Sequence, residues 1–170
     1  IAAAAVSLLL PGFNLAAGDS AYKMVPAMND VSNTASLQRG AKYFVNYCFG
    51  CHSAEYVRYN RLAEDLSINE DQLVNNLMFA AEKPFETMQV AMPADDAQRW
   101  FGQAPPDLSL IARSRGTDYL YGFLRTFYLD DSKPTGVNNL VLAGASMPHV
   151  LWELQGFQEL VEETDENGKV

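Results

Sequence analysis

The sequence reads as an all-α fold with long loops, and three observations carry that reading. Apolar residues recur at helical spacing in several separate stretches. Clusters of Pro, Gly, Asn and Asp punctuate the segments between them, and no run alternates strictly as a half-buried strand would. The third observation is the pentapeptide Cys48-Phe49-Gly50-Cys51-His52, which closes the first helical stretch. C-x-x-C-H is the attachment signature of a c-type haem. Two thiols three positions apart can add to the two vinyl groups of one haem, and the adjacent imidazole then lies beneath the same ring. The chain has 2 Cys and 2 His, and the motif takes both Cys and one His.

The elements follow in order. Ile1 to Leu10 is an apolar run broken by Pro11-Gly12, and Asn14-Leu15-Ala16-Ala17 supplies small residues. Residues 1–17 therefore read as the apolar region and cleavage site of a secretory signal whose basic start is missing. They are too short for a spanning helix, which needs about 20 apolar residues. Residues 18–35 are unperiodic and read as an extended arm. Leu37, Ala41, Phe44, Val45 and Cys48 define a helix from about residue 36, capped by Ser36 or Thr34. Gly40 on its face suggests a close helix crossing. Ser53 to Asp65 reads as a polar loop. Asn69-Glu70-Asp71-Gln72 is a capping box, opening a helix with Leu73, Val74, Leu77, Met78 and Ala81 inward and Pro84 at its end.

A short acidic helix, about Ala94 to Phe101, stops at Gly102. Pro105-Pro106-Asp107 starts another, because Pro suits a first turn and Asp the helix N-terminus; Leu108, Ile111 and Ala112 face inward and Gly116 ends it. Thr117 caps the next, with Leu120, Phe123, Leu124 and Phe127 as its stripe. Residues 130–146 form a loop that delivers Met147-Pro148-His149. Residues 36–160 make one haem domain, and 161–170 are a polar tail.

Other uses of the motif fit less well. Zinc wants four ligands, and beyond the motif only His149 remains. A thioredoxin-like pair wants a βαβ context. A disulfide across so short a loop is geometrically poor. The candidates for a second axial ligand are Met78, Met88, Met92, Met147 and His149. Met78 lies on a helix core face and reads as packing. Met92-Pro93 and Met147-Pro148 are both plausible, since a following Pro stiffens a loop methionine, and the residues alone leave the choice open. The net charge is −9 and the pI about 4.6, which speaks against a nucleic acid or an anionic lipid surface and for a basic partner. Asp95, Asp96, Glu159, Glu162 and Glu163 are candidate docking charges.

Several separated blocks carry a family resemblance. They are Ala35-Ser36-Leu37-Gln38-Arg39-Gly40-Ala41, Tyr47 through Ser53, Arg58-Tyr59-Asn60-Arg61-Leu62, Asn75-Asn76-Leu77-Met78-Phe79 and Trp100-Phe101-Gly102. Ala104-Pro105-Pro106-Asp107-Leu108-Ser109, Ile111 through Gly116, and Met147-Pro148-His149-Val150-Leu151-Trp152 complete the set. From about residue 26 to about 158 the chain resembles the cytochrome c1 family in its bacterial form, the haem subunit of the quinol–cytochrome c oxidoreductase (cytochrome bc1 complex). The resemblance implies a class I cytochrome c-like helical fold and one covalent haem c. It implies Cys48 and Cys51 as thioether anchors, His52 as proximal ligand, Met147 as distal ligand, Arg115 near a haem propionate, and Pro106 and Tyr119 lining the pocket. The family continues with a further helix packed near Gly40 and a membrane anchor, so the chain reads as a fragment lacking both.

The function implied is one-electron transfer, enzymatic only as part of the oxidoreductase. Electrons pass from the Rieske iron–sulfur protein to a soluble cytochrome c, beside cytochrome b, at the periplasmic face of the bacterial inner membrane. One rival is a stand-alone periplasmic cytochrome c shuttle. The other is a haem enzyme or sensor with an open distal site.

Overall fold

The computed structural model describes residues 22–162. The signal reading of residues 1–17, the start of the arm and the tail from residue 163 lie outside the described residues.

Helix α1 (Thr34–Tyr43) starts one residue before the expected caps. Asn33 is its N-cap, and its side chain accepts from the Ser36 amide at 3.0 Å, so one orphan donor of the first turn is satisfied. The helix runs into a π-helical segment, Phe44–Cys48, in which the Phe49 amide donates to the Phe44 carbonyl five residues back at 2.9 Å. The Asn46 side chain donates to the Lys42 carbonyl at 2.7 Å inside this wider turn. Such turns are rare and concentrate at functional sites. Here Val45 and Phe49 enter the core while Cys48 and Cys51 stay half-buried. The close crossing expected at Gly40 is not found among the described residues, because a Cβ there would meet nothing within 4 Å.

The segment expected as a polar loop is structured. β1 (Ala54–Arg58) leads directly into α2 (Tyr59–Asp65). α3 (Glu70–Asn76) opens with both halves of the capping box: Asn69 Oδ1 accepts from the Gln72 amide at 2.8 Å and Gln72 Oε1 from the Asn69 amide at 3.3 Å. It ends well before Pro84. Leu77 and Met78 are both buried, and the chain leaves the helix at Leu77 with φ −130°. Val74, expected inside, is exposed. β2 (Thr87–Met88) pairs antiparallel with β1 as Ala54↔Met88 and Arg58↔Thr87, with a register shift between. That irregularity is why no period of two marks β1 in the sequence. The main core gathers Val45, Phe49, Tyr59, Leu73, Leu77, Met78 and Met88.

α4 (Ala94–Phe101) stops at Gly102, whose φ of +75° is a left-handed cap suited to glycine. Residues 105–110 are not helical, against expectation, and α5 is confined to Ile111–Arg115. Bonds to the start of β1 claim them instead. The Leu108 amide donates to the Ser53 carbonyl at 2.8 Å, the Asp107 carboxylate accepts from the Glu55 amide at 2.8 Å, and the Tyr56 amide donates to the Ser109 hydroxyl at 3.1 Å. α6 (Thr117–Arg125) follows Gly116, and Thr117 makes no capping bond. Phe127, expected on the α6 stripe, begins β3 (Phe127–Leu129), which pairs with β4 (Val137–Asn139) inside the expected 130–146 loop. Buried Asn139 holds the turn after β4: its Nδ2 donates to the Phe123 carbonyl at 2.7 Å and its Oδ1 accepts from the Val141 and Leu142 amides at 2.9 and 3.0 Å. α7 (Trp152–Gln155) is one turn. The fold is mostly helical, as expected, with two short two-stranded pairings, β1 with β2 and the β3–β4 hairpin, added to the helices. Among the described residues no helix is long and apolar enough to cross a membrane.

Candidate haem site

The turn after the π-helical segment sets the motif. The Cys51 and His52 amides both donate to the Cys48 carbonyl, at 3.0 and 2.9 Å. This turn brings the two cysteines and the histidine onto one cleft, which Pro105, Pro106, Phe101 and Met147 also line. Both thiols are free and half-buried. Burial pushes the Cys48 thiol above its ordinary pKa, and the neighbouring Cys51 adds to the effect.

His52 is oriented from outside its own loop. Its Nδ1 lies 2.7 Å from the Pro106 carbonyl oxygen. A carbonyl only accepts, so Nδ1 carries the proton and Nε2 keeps its lone pair. A second-sphere acceptor of this kind sets tautomer and ring orientation in histidines that ligate metals. The Pro106 carbonyl is held in turn by the bonds that tie residues 107–109 to β1. The Asp107 carboxylate there lies below the usual range. Burial pushes it up, but bonds from the Ser109 hydroxyl and the Glu55 and Ser109 amides outweigh that, with His52 nearby adding to them.

The methionine candidates separate by place. Met78 and Met88 are buried in the main core. Met92 is half-buried and absent from the cleft lining. Met147 lines the cleft and packs against the small core formed by Phe127, Val137 and Ala145. His149 is buried away from the lining, stacked on Phe127 at 5.3 Å. Arg115 and Tyr119 do not line the cleft. They meet each other, the guanidinium 5.6 Å from the Tyr119 ring centre, and Tyr119 stacks on Phe123.

Sequence reasoning missed Tyr47, Phe101 and Val150 as lining residues. Tyr47 precedes the motif and is a readable signal; Phe101 and Val150 arrive only through tertiary folding. The donor set fits a haem: two unpaired thiols at thioether spacing, an imidazole with a free Nε2 and a thioether sulfur share one largely apolar cleft. It is a poorer match for zinc, because of the four nitrogen, sulfur or carboxylate ligands that a structural zinc takes the cleft lining offers only Cys48, Cys51 and His52.

A model of the cytochrome c1 family matches residues 26–166. The chain belongs to the cytochrome c1 family. Membership implies a haem, in agreement with the donor set. The chain is 53% identical over 156 residues to the cytochrome c1 of Allochromatium vinosum, covering 92% of this chain and 64% of that one. It is 44% identical to a protein named ammonia monooxygenase gamma subunit from Nitrosomonas europaea, covering 91% of this chain and 66% of the relative. It is 27% identical over 133 residues to the cytochrome b-c1 complex catalytic subunit of Candida albicans mitochondria, covering 65% and 44%. The chain thus spans a little under two thirds of the first two relatives' lengths.

Proposed function

We propose that this chain carries the haem of a bacterial cytochrome c1, working as a one-electron carrier in the quinol–cytochrome c oxidoreductase. The observation behind this reading is the convergence of Cys48, Cys51, His52 and Met147 on one cleft, in a chain of this family. A haem held there supplies a ferric–ferrous couple, and His/Met ligation raises its potential. Cys48 and Cys51 anchor it as thioethers. His52 offers Nε2, with the Pro106 carbonyl holding the ring. Met147 offers its sulfur from the loop before α7. The apolar walls keep water out and limit reorganisation around the redox change. Pro106 has a geometric role in this scheme; Arg115 and Tyr119 have the family resemblance alone behind them.

In the proposed setting, cytochrome b and the Rieske protein are neighbours in the complex, and the Rieske protein donates the electron to the haem. A soluble cytochrome c accepts it. In this reading the chain is exported and works at the periplasmic face of the inner membrane, held there by a membrane anchor. The acidic surface suits a basic acceptor by electrostatic steering. The relative named as an ammonia monooxygenase subunit raises a second reading, an oxygen-activating haem with an open distal position; Met147 on the cleft wall speaks against it.

Oxidised and reduced spectra of the haem-loaded protein and of Met147→Leu test the proposal. Expected are a sharp reduced α-band and a weak red methionine–iron band in the wild type, the latter lost in the variant. A high-spin ferric wild type that binds cyanide at once would overturn the carrier reading in favour of the open-site one.

A further inference from the structure

Met147 sits in a segment, residues 140–151, with no regular secondary structure, so something other than a helix or ladder must hold its sulfur in place. His149, two residues on, is the strongest point of attachment. It is 5% exposed, deeper than the intermediate burial ordinary for histidine. Its ring lies nearly flat on Phe127, 5.3 Å between centres and 14° between planes, and the Phe157 ring meets it edge-on at 6.2 Å. Phe127 belongs to the small core against which Met147 packs. The same small core thus supports both side chains.

The hydrogen bonding is one-sided. His149 Nε2 lies 3.1 Å from the Gly156 carbonyl. That oxygen only accepts, so Nε2–H donates and the ring is the Nε2–H tautomer. Nδ1 is buried with no partner among the described residues. A buried polar atom without a partner carries a cost, so the ring is tolerated for what its other edge does. The Gly156 carbonyl is a fixed point. Gly156 has φ +79° at the end of α7, the Gln155 side chain donates to the Arg125 carbonyl at 2.7 Å, and the Leu129 amide donates to the Gln158 carbonyl at 2.8 Å. The turn around Gly156 is therefore tied to the end of α6 and to the end of β3.

We propose that His149 is a positioning residue for Met147: its Nε2–H bond to Gly156 and its stack on Phe127 clamp the loop and hold the Met147 sulfur at the cleft wall. The inference rests on the reading of Met147 as the distal ligand. It separates the two members of the Met147-Pro148-His149 stretch that compete as ligands in the sequence, one becoming donor and the other its support.

The test uses the haem-loaded protein with three variants. His149→Phe keeps the stack and removes the bond; His149→Gln keeps a donor able to reach the carbonyl; Met147→Leu is the reference. In ferric His149→Phe the red methionine–iron band weakens, the midpoint potential falls, and cyanide binds about tenfold faster than in the wild type, the size expected when a clamp biases a two-state ligand loop. His149→Gln recovers part of each change. If His149→Phe melts lower but keeps band, potential and cyanide rate, its role is only structural and the inference is overturned. If Met147→Leu keeps the wild-type spectrum, the ligand reading fails first and this inference falls with it. The two failures are thus distinct. Should His149→Phe not fold, the exchange rate of the His149 Nε2 proton, compared between wild type and Met147→Leu, decides. Linkage is reciprocal, so losing the Met147 ligand must speed that exchange, and an unchanged rate overturns the proposal.

Discussion

The Nδ1 proton of His52 is held by a carbonyl 54 positions along the chain. The imidazole's readiness as a ligand is thus a property of the Pro106 backbone as much as of the motif. Tyr59 is the opposite case. It is fully buried, its ring meets Phe49 edge-on at 6.3 Å, and its hydroxyl has no partner among the described residues. Burial pushes its pKa up, and Glu86 adds to that. Removing such a hydroxyl takes away an unpaid desolvation cost without leaving a partner behind, so Tyr59→Phe is expected to be neutral or to stabilise by up to about 1 kcal/mol. Urea unfolding of the two proteins side by side checks it, and a loss of stability in the variant would show that the hydroxyl has a partner after all.

Among the elements, α3 and the β3–β4 hairpin depend most on short-range polar contacts. The Asn69 side chain satisfies a first-turn amide of a seven-residue helix. Asn69→Ala is therefore expected to cost about 1 kcal/mol, seen as a lower denaturant midpoint at unchanged slope. Asp130 organises the β3–β4 turn. Its carboxylate accepts from the Ser132 hydroxyl at 2.6 Å, the Ser132 amide at 3.0 Å and the Asn138 side chain at 2.9 Å. The Ser132 hydroxyl, and next Asn138, hold its pKa below the ordinary value. A depressed carboxylate contributes stability that is present above its unfolded value, about 3.9, and lost as pH falls through the folded value. The stability gap between wild type and Asp130→Asn should narrow on acidification below about pH 4. Equal gaps at neutral and acid pH would sink that expectation.

For the molecule as a whole, the net charge of −9 is the property a partner meets first. Not every candidate docking charge is equally free. Asp96 is paired with Arg99 on the same helix, while Asp95 in the first turn of α4 is exposed. Glu163 lies outside the described residues. Steering by exposed charges is screened over about 8 Å at physiological ionic strength. Electron transfer to a basic acceptor is therefore expected to slow as salt is raised, and less steeply in Asp95→Asn. Stopped-flow oxidation across a salt series measures it; a rate independent of salt would remove electrostatic docking from the proposal.

What could be read in advance was whatever the chain encodes locally. The C-x-x-C-H motif is legible because two thioethers and an axial imidazole need three residues within five positions. The Asn69–Gln72 box, the Gly102 stop and the helices α1, α4 and α6 are legible because caps and 3.6-residue periods are written within a turn or two. The rest depended on contacts between distant segments. β1 and β2 are short, bulged and 29 residues apart at Arg58↔Thr87, so neither carries a period of its own. Residues 105–110 read as a helix start, yet long-range bonds from Leu108 and Asp107 to residues 53 and 55 draw them out straight. The same bonds place the Pro106 carbonyl against His52. Spacing left the choice between Met92 and Met147 open. Packing against the small core that holds Phe127 put Met147 on the cleft, and Met92 lies off it, since a loop residue's position is set by what it packs against and not by its neighbours in sequence.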